Sequence, residues 1–180
     1  MPPSSSRRCR PMSLHMPARQ GHLSTGPMQC GFSSSRSMRS YAVRSWRRLA
    51  AVIAALRRLD VVRMALATPY PGDVTDCERR FFVANGFDVV SCNYLGRSGA
   101  GVRPTTFDEI IALVRRVDRP EVQAIFISCT DLRVLELVDM LEQELSKPVL
   151  TSNQVTLWAI LEALGRRDTV PGYGRLLAPS

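Results

Sequence analysis

Residues 46–180 of this 180-residue chain predict an α/β fold with a four-stranded parallel sheet, and three observations carry that expectation. Short apolar, β-branched runs recur at four places. Each ends in a cluster of turn residues, and between them lie segments with apolar positions at helical spacing. Strands that alternate with helices need right-handed crossovers, which make the sheet parallel and flank it with helices.

Taken in order, LAAVIAALRRL (Leu49 to Leu59) reads as a helix with Leu49, Val52, Ile53, Leu56 and Leu59 on one face. Val61 to Ala67 is the first strand, closed by Thr68-Pro69-Tyr70-Pro71-Gly72. Asp73 is placed to cap the next helix, with Val74, Cys77 and Phe81 inward and Asn85-Gly86 at its end. FDVVSCN (Phe87 to Asn93) is the second strand. After the glycine-rich YLGRSGAGVRP, Thr106 and Glu109 form a capping box for a helix that buries Ile110, Val114 and Val117. QAIFIS (Gln123 to Ser128) is the third and most apolar strand. A helix following Cys129-Thr130-Asp131 is expected to bury Val134, Leu135, Val138, Leu141 and Leu145, leaving Glu136, Asp139 and Gln143 in water. PVLTS is the fourth strand, and Asn153 starts a helix through Leu157, Trp158, Leu161 and Leu164 that stops at Gly165. The whole is a Rossmann-like lobe, whose ligand edge lies at the carboxyl ends of the strands.

The net charge of +8 is unevenly spread: residues 1–59 hold eleven Arg and no Asp or Glu. From Asp60 onward thirteen basic residues face sixteen acidic ones, a net of −3, so the basicity belongs to the leader. Residues 1–45, rich in Ser, Arg and Pro without apolar periodicity, are expected to form a disordered leader ahead of the lobe. An organellar transit peptide has the same composition. The arginines lack the interleaved aromatics of a nucleic-acid arm, and no apolar run approaches the ~20 residues of a membrane span. No nucleic-acid or membrane partner is therefore expected. Five cysteines without a CxxC pair suggest neither a disulfide framework nor a zinc site, and a reducing cytoplasm fits that usage. The only histidines, His15 and His22, lie in the leader. A Ser-His-Asp or Cys-His pair and a His-bound metal are thereby excluded from the lobe, and proton transfer there falls to Cys, Tyr, Asp, Glu or Lys.

Cys129, between Ser128 and Thr130, ends the third strand where a helix is expected to begin, a setting that favours a thiolate. Packing as a small buried residue is the competing role. Tyr70, after Thr68-Pro69, offers a hydroxyl to a carboxylate or an enolate, or packs a rigid loop. Ser152 and Asn153 cap the last helix, present donors to an anion at its start, or do both. Cys77 reads as core, and the LGRSGAG loop lacks the Lys-Ser/Thr of a phosphate loop.

Three segments, ATPYPGDVTDCERRFFVANGFDVVS, AIFISCTDLRVLELVDMLEQELSKPVLTSNQVTLWAILEALG and GYGRLL, resemble the C-terminal lobe of maleate cis-trans isomerases of the aspartate/glutamate racemase superfamily. Amino-acid racemases and arylmalonate decarboxylases of that superfamily are the neighbouring readings. The resemblance implies a cofactor-independent, metal-free enzyme of two pseudo-symmetric lobes, each supplying one cysteine to a small dicarboxylate. The N-terminal-lobe cysteine adds to the double bond, and elimination follows rotation. Cys129 matches the second cysteine, which handles the proton at the other carbon. Tyr70 matches the tyrosine that stabilises the enediolate-like intermediate; Thr68, Ser128, Thr130, Ser152 and Asn153, at the strand ends of the ligand edge, are the further candidate substrate-binding residues. The family's carboxylate-binding Asn has no match near Ala100. Residues 1–45 hold no counterpart of the N-terminal lobe, and neither Cys9 nor Cys30 follows an apolar strand. A frameshift or mistaken start would account for this, a natural half-enzyme being the alternative. A catalytically inactive ligand- or partner-binding module is the reading from another class. An exposed lobe face would favour a homo-oligomer.

Overall fold

The computed structural model describes residues 49–166 and 168–178. The reading of residues 1–45, with Cys9, Cys30, His15 and His22, lies outside them. Helix α1 (49–58) is followed by β1 (Arg63–Thr68), α2 (Gly72–Ala84), β2 (Asp88–Tyr94), α3 (Phe107–Val117), β3 (Ala124–Ile127), α4 (Val138–Leu145), β4 (Val149–Thr151) and α5 (Ser152–Ala163). All pairings are parallel, in the spatial order β2-β1-β3-β4.

Both faces of the sheet are covered, which is why its strands read as nearly continuous apolar runs. Met64 and Leu66 of β1, Phe126 of β3 and Leu150 of β4 pack against α1, α2 and α5 through Val52, Ile53, Leu56, Phe81, Phe82 and Val155. The alternate residues Ala65, Ala67, Ile125, Ile127 and Val149 face α3 and α4 through Ile110, Leu113, Val114, Val117 and Leu141. Phe82 anchors the first layer, with its ring centroid 5.6 Å from that of Phe126 in an edge-on arrangement.

The crossover from β1 to β2 runs on one face, whereas those from β2 to β3 and from β3 to β4 run on the other. The chain therefore leaves the carboxyl ends of β1 and β3 in opposite directions. A crevice opens between them at the switch point of the sheet, the place where parallel α/β folds bind ligands. The β1–β3 register, Met64 opposite Ala124 through Ala67 opposite Ile127, carries Thr68 level with Ser128 at that crevice.

Several elements depart from the sequence expectation. α2 has Pro71 at its N-cap with Asp73 in its first turn, and it buries Thr75 and Phe82 where Val74 was expected inward. The helix after Cys129 is delayed: an irregular segment and a short 3-10 turn (Leu135–Leu137) come before α4. That segment still buries Leu132 and Val134, so its apolar spacing imitates a helix without the backbone following one. α5 begins one residue early. Its cap is Thr151, in a capping box with Gln154, and its Leu157, Ile160 and Leu164 are exposed. Cys77 and Cys92 each take part in a disulfide, contrary to the expectation from spacing. No helix among the described residues is long and apolar enough to cross a membrane.

Candidate active site

Cys129 lies two residues beyond the end of β3 and is buried, 6% exposed, with a φ of 144°. A backbone conformation that L-residues rarely adopt costs about 1–3 kcal/mol and persists only where the surroundings over-determine it. Here they do. The amide of Ser128 donates to the Ala67 carbonyl at 2.9 Å, tying the segment to β1. The Ser128 hydroxyl donates to Glu78 Oε1 at 2.8 Å, tying it to α2. The Cys129 amide donates to Ser152 Oγ at 3.1 Å, tying it to the first turn of α5. Asn153 Nδ2 donates to the Thr130 carbonyl at 3.2 Å.

The free amide donor that a helix start would supply comes from the turn instead. The Asp131 amide donates to Cys129 Sγ at 3.2 Å, well placed to receive negative charge on the sulfur. Cys129 is the free thiol among the described residues. Beside it lies a cleft of about 410 Å³ lined by Arg103, Thr130, Asp131, Leu132, Arg133 and Asn153, with Arg103 3.7 Å from Asp131.

Two hydrogen bonds, from Cys129 to Ser152 and from Asn153 to Thr130, thus join the turn after β3 to the start of α5, while Ser128 is held from α2. Tyr70, at the neighbouring end of β1, is partly buried and packs against the apolar cluster that contains Cys129. Its loop is fixed by the amides of Leu95 and Gly96, which donate to the carbonyls of Thr68 and Tyr70. The Thr68 side chain is fully buried, and its hydroxyl shares a 2.6 Å hydrogen bond with Thr75. Thr68 stands behind the edge and not on it.

Two participants escape a sequence reading. Glu78 does so because its partner is fifty residues away, although a carboxylate spaced with Thr75 and Phe82 on one side of α2 is a recognisable oddity. The Asp131 amide belongs to the backbone and leaves no residue-type signal. The glycine-rich loop is also more ordered than its composition suggests. Arg97 reaches Thr105 at 2.6 Å and pairs with Glu109, whose carboxyl is held below the usual range by that guanidinium and by the Thr106 cap. Among the described residues no cluster of three or more His, Cys, Asp or Glu is placed to hold a metal ion.

Residues 45–177 match the family model described as arylmalonate decarboxylase. The maleate isomerase of Nocardia farcinica is 34% identical over 131 residues, which cover 71% of this chain and 51% of that protein. The arylmalonate decarboxylase of Bordetella bronchiseptica is also 34% identical, over 134 residues covering 72% and 56%. The solved Nocardia farcinica maleate cis-trans isomerase, in a form with a covalently bound succinylcysteine intermediate, superposes with a TM-score of 0.69 at 31% identity, covering 71% of this chain and 53% of that one. The chain spans about half the length of the curated relatives it matches. Sheet order, a thiol at the switch point and a match over most of the described residues agree, and the chain belongs to the arylmalonate decarboxylase family.

Proposed function

We propose that this lobe supplies one side of a cysteine-dependent, cofactor-independent isomerase site for a small dicarboxylate of the maleate type, with Cys129 as its reacting thiol. The observation that carries the reading is the Cys129 turn: a strained, buried thiol under an amide donor, at the switch point of a parallel sheet. In this reading the thiol gives its proton to a carbanion carbon of the bound intermediate. The Asp131 amide stabilises the thiolate left behind, and recovery of the proton closes the cycle. Tyr70 donates its hydroxyl to the enediolate-like oxygen that develops alongside, and Thr130, Ser152 and Asn153 line the substrate's position at the start of α5. Ser128 and Thr68 hold their strand ends from behind. The partner cysteine comes from a second lobe, which the matched half of the relatives does not include. No metal or cofactor enters these steps.

Arylmalonate decarboxylation is the second reading, favoured by a decarboxylase relative as similar as the isomerase. The same thiol then protonates the carbanion left by departing carbon dioxide. Following the maleate-to-fumarate change by absorbance, and carbon dioxide release from an arylmalonate in parallel, separates the two. With the second lobe supplied alongside this one, turnover of maleate that is lost in Cys129→Ser is the expected result. No turnover by the wild-type pair, or unchanged turnover in Cys129→Ser, sinks the enzyme reading and leaves a binding module.

Association is part of the same proposal. Leu157, Ile160 and Leu164 form an exposed apolar stripe on α5 that starts one turn beyond Asn153. Sedimentation velocity at micromolar protein should show self-association, and a clean monomer would remove it.

A further inference from the structure

We propose that Glu78 is a positioning residue for Cys129, acting through Ser128, and that α2 sets the spacing between Tyr70 and Cys129. The proposal rests on a pair of tethers from one helix to two strand ends. Thr75 and Glu78 lie one turn apart on α2, on the side that also carries the buried Phe82. Thr75 Oγ1 lies 2.6 Å from Thr68 Oγ1 at the end of β1, and Glu78 Oε1 accepts from Ser128 Oγ at 2.8 Å at the end of β3. Those strand ends flank the switch-point crevice. Tyr70 follows Thr68 by two residues, and Cys129 follows Ser128 directly.

Strand alternation explains the geometry. Met64, Leu66 and Thr68 point to the α2 side of the sheet, as do Phe126 and Ser128, while Cys129 turns to the opposite side with Ile127. The bond to Glu78 therefore grips the sheet from behind the residue whose φ is 144°. The other ties on this turn come from the backbone of β1 and from α5. Glu78 supplies the one that reaches across from α2 by a side chain capable of ionising. The hydrogen bond requires an acceptor oxygen at this point, which a glutamine also provides.

The part this clamp plays in turnover rests on the reading of Cys129 as the reacting thiol, whereas the clamp itself does not, so the two are measured separately. Amide hydrogen exchange by NMR is compared in the full chain and in Glu78→Gln, Glu78→Leu and Ser128→Ala. In Glu78→Leu and Ser128→Ala the Cys129 and Asp131 amides should exchange about tenfold faster, the scale of one lost hydrogen bond, with the Leu66 and Ile125 amides unchanged. Glu78→Gln should stay within about twofold of wild type, since it keeps the acceptor. Should Glu78→Leu fail to fold, Ser128→Ala removes the same bond from its donor side. In a turnover assay with the second lobe supplied, the same two variants should lose kcat with little change in KM, and Glu78→Gln should restore it. Unchanged exchange at both amides in Ser128→Ala and in a folded Glu78→Leu overturns the proposal, as does equal acceleration in Glu78→Gln and Glu78→Leu. No turnover by the wild-type pair, with the predicted exchange pattern, would sink the isomerase reading and keep the clamp.

Discussion

At Cys129 backbone strain falls on the residue proposed as the reacting thiol, and the two make opposite demands. A glycine accepts a φ of 144° without the penalty a Cβ brings. Cys129→Gly is therefore expected to be more stable than Cys129→Ala by about 1 kcal/mol, measured by urea unfolding. A reversed order would mean that the turn is not strained. Ser152 is the second test at this scale. Its hydroxyl accepts the Cys129 amide, so Ser152→Ala leaves a buried donor unpaired and should cost roughly 1–3 kcal/mol. The place of Cys129 was legible, because an apolar strand running into Ser-Cys-Thr puts the thiol at the sheet edge. The grip on it was not legible. Glu78, through Ser128, and Ser152 meet the Cys129 turn only on folding, and nothing in a linear spacing of residues links them to it.

Among the elements, those specified locally were read well and those specified by their neighbours were read poorly. The Thr106–Glu109 box appears at α3 as expected, because both partners lie within one turn. Thr106→Ala should cost about 1 kcal/mol. Glu109 adds a pH dependence of known sign. Its carboxyl is held below the usual range, first by the Arg97 guanidinium, so its contribution is present above the ordinary carboxylate range. That contribution disappears as the pH falls through its lowered pKa. Because the pair is partly exposed, the effect should be small and weakened by salt, with Glu109→Gln flattening the acid side of the stability profile. α4 and α5 show the other case. The apolar spacing from Val134 onward predicts a helix there, yet the turn that presents Cys129 occupies the first part of it. In α5 nearly every position is apolar, so spacing could not say which side faces the sheet. Val155 turned out to be buried and Leu157, Ile160 and Leu164 exposed.

Across the whole molecule, the layered sheet and its buried polar latch decide whether the edge stays in register. Phe82 is fully buried between α2 and β3, and Phe82→Ala should cost about 3–5 kcal/mol and loosen α2 along with the strand ends it braces. The C-terminal segment docks through Glu142. This buried residue of α4 accepts the amides of Val149 and Arg175, each at 2.8 Å, while the Gly174 amide donates to Asp139. Gly174 is needed there: its φ is 78°, and a Cβ would lie 2.5 Å from Val138. Burial raises the Glu142 carboxyl above its ordinary range in spite of those two donors. The folded state then holds this proton more tightly than the unfolded chain, so this group's contribution favours folding at low pH and is lost as the pH rises through its raised pKa. Relative to Glu142→Gln, the wild type should therefore gain stability as the pH is lowered from neutral into that range. The alternation of strand and helix made the architecture legible, while the burial of Glu142 in α4 was legible only after folding.

The central claim, that Cys129 is a reacting thiol in a site shaped for a dicarboxylate, is tested most directly by modifying the native protein with iodoacetamide, with and without maleate, and mapping the labelled cysteine by mass spectrometry. Rapid modification of Cys129 that maleate slows, and that the uncharged, saturated dimethyl ester of succinate does not slow, is the expected result. Cys129 left unmodified until the protein unfolds, or modified at a rate maleate does not change, would contradict it.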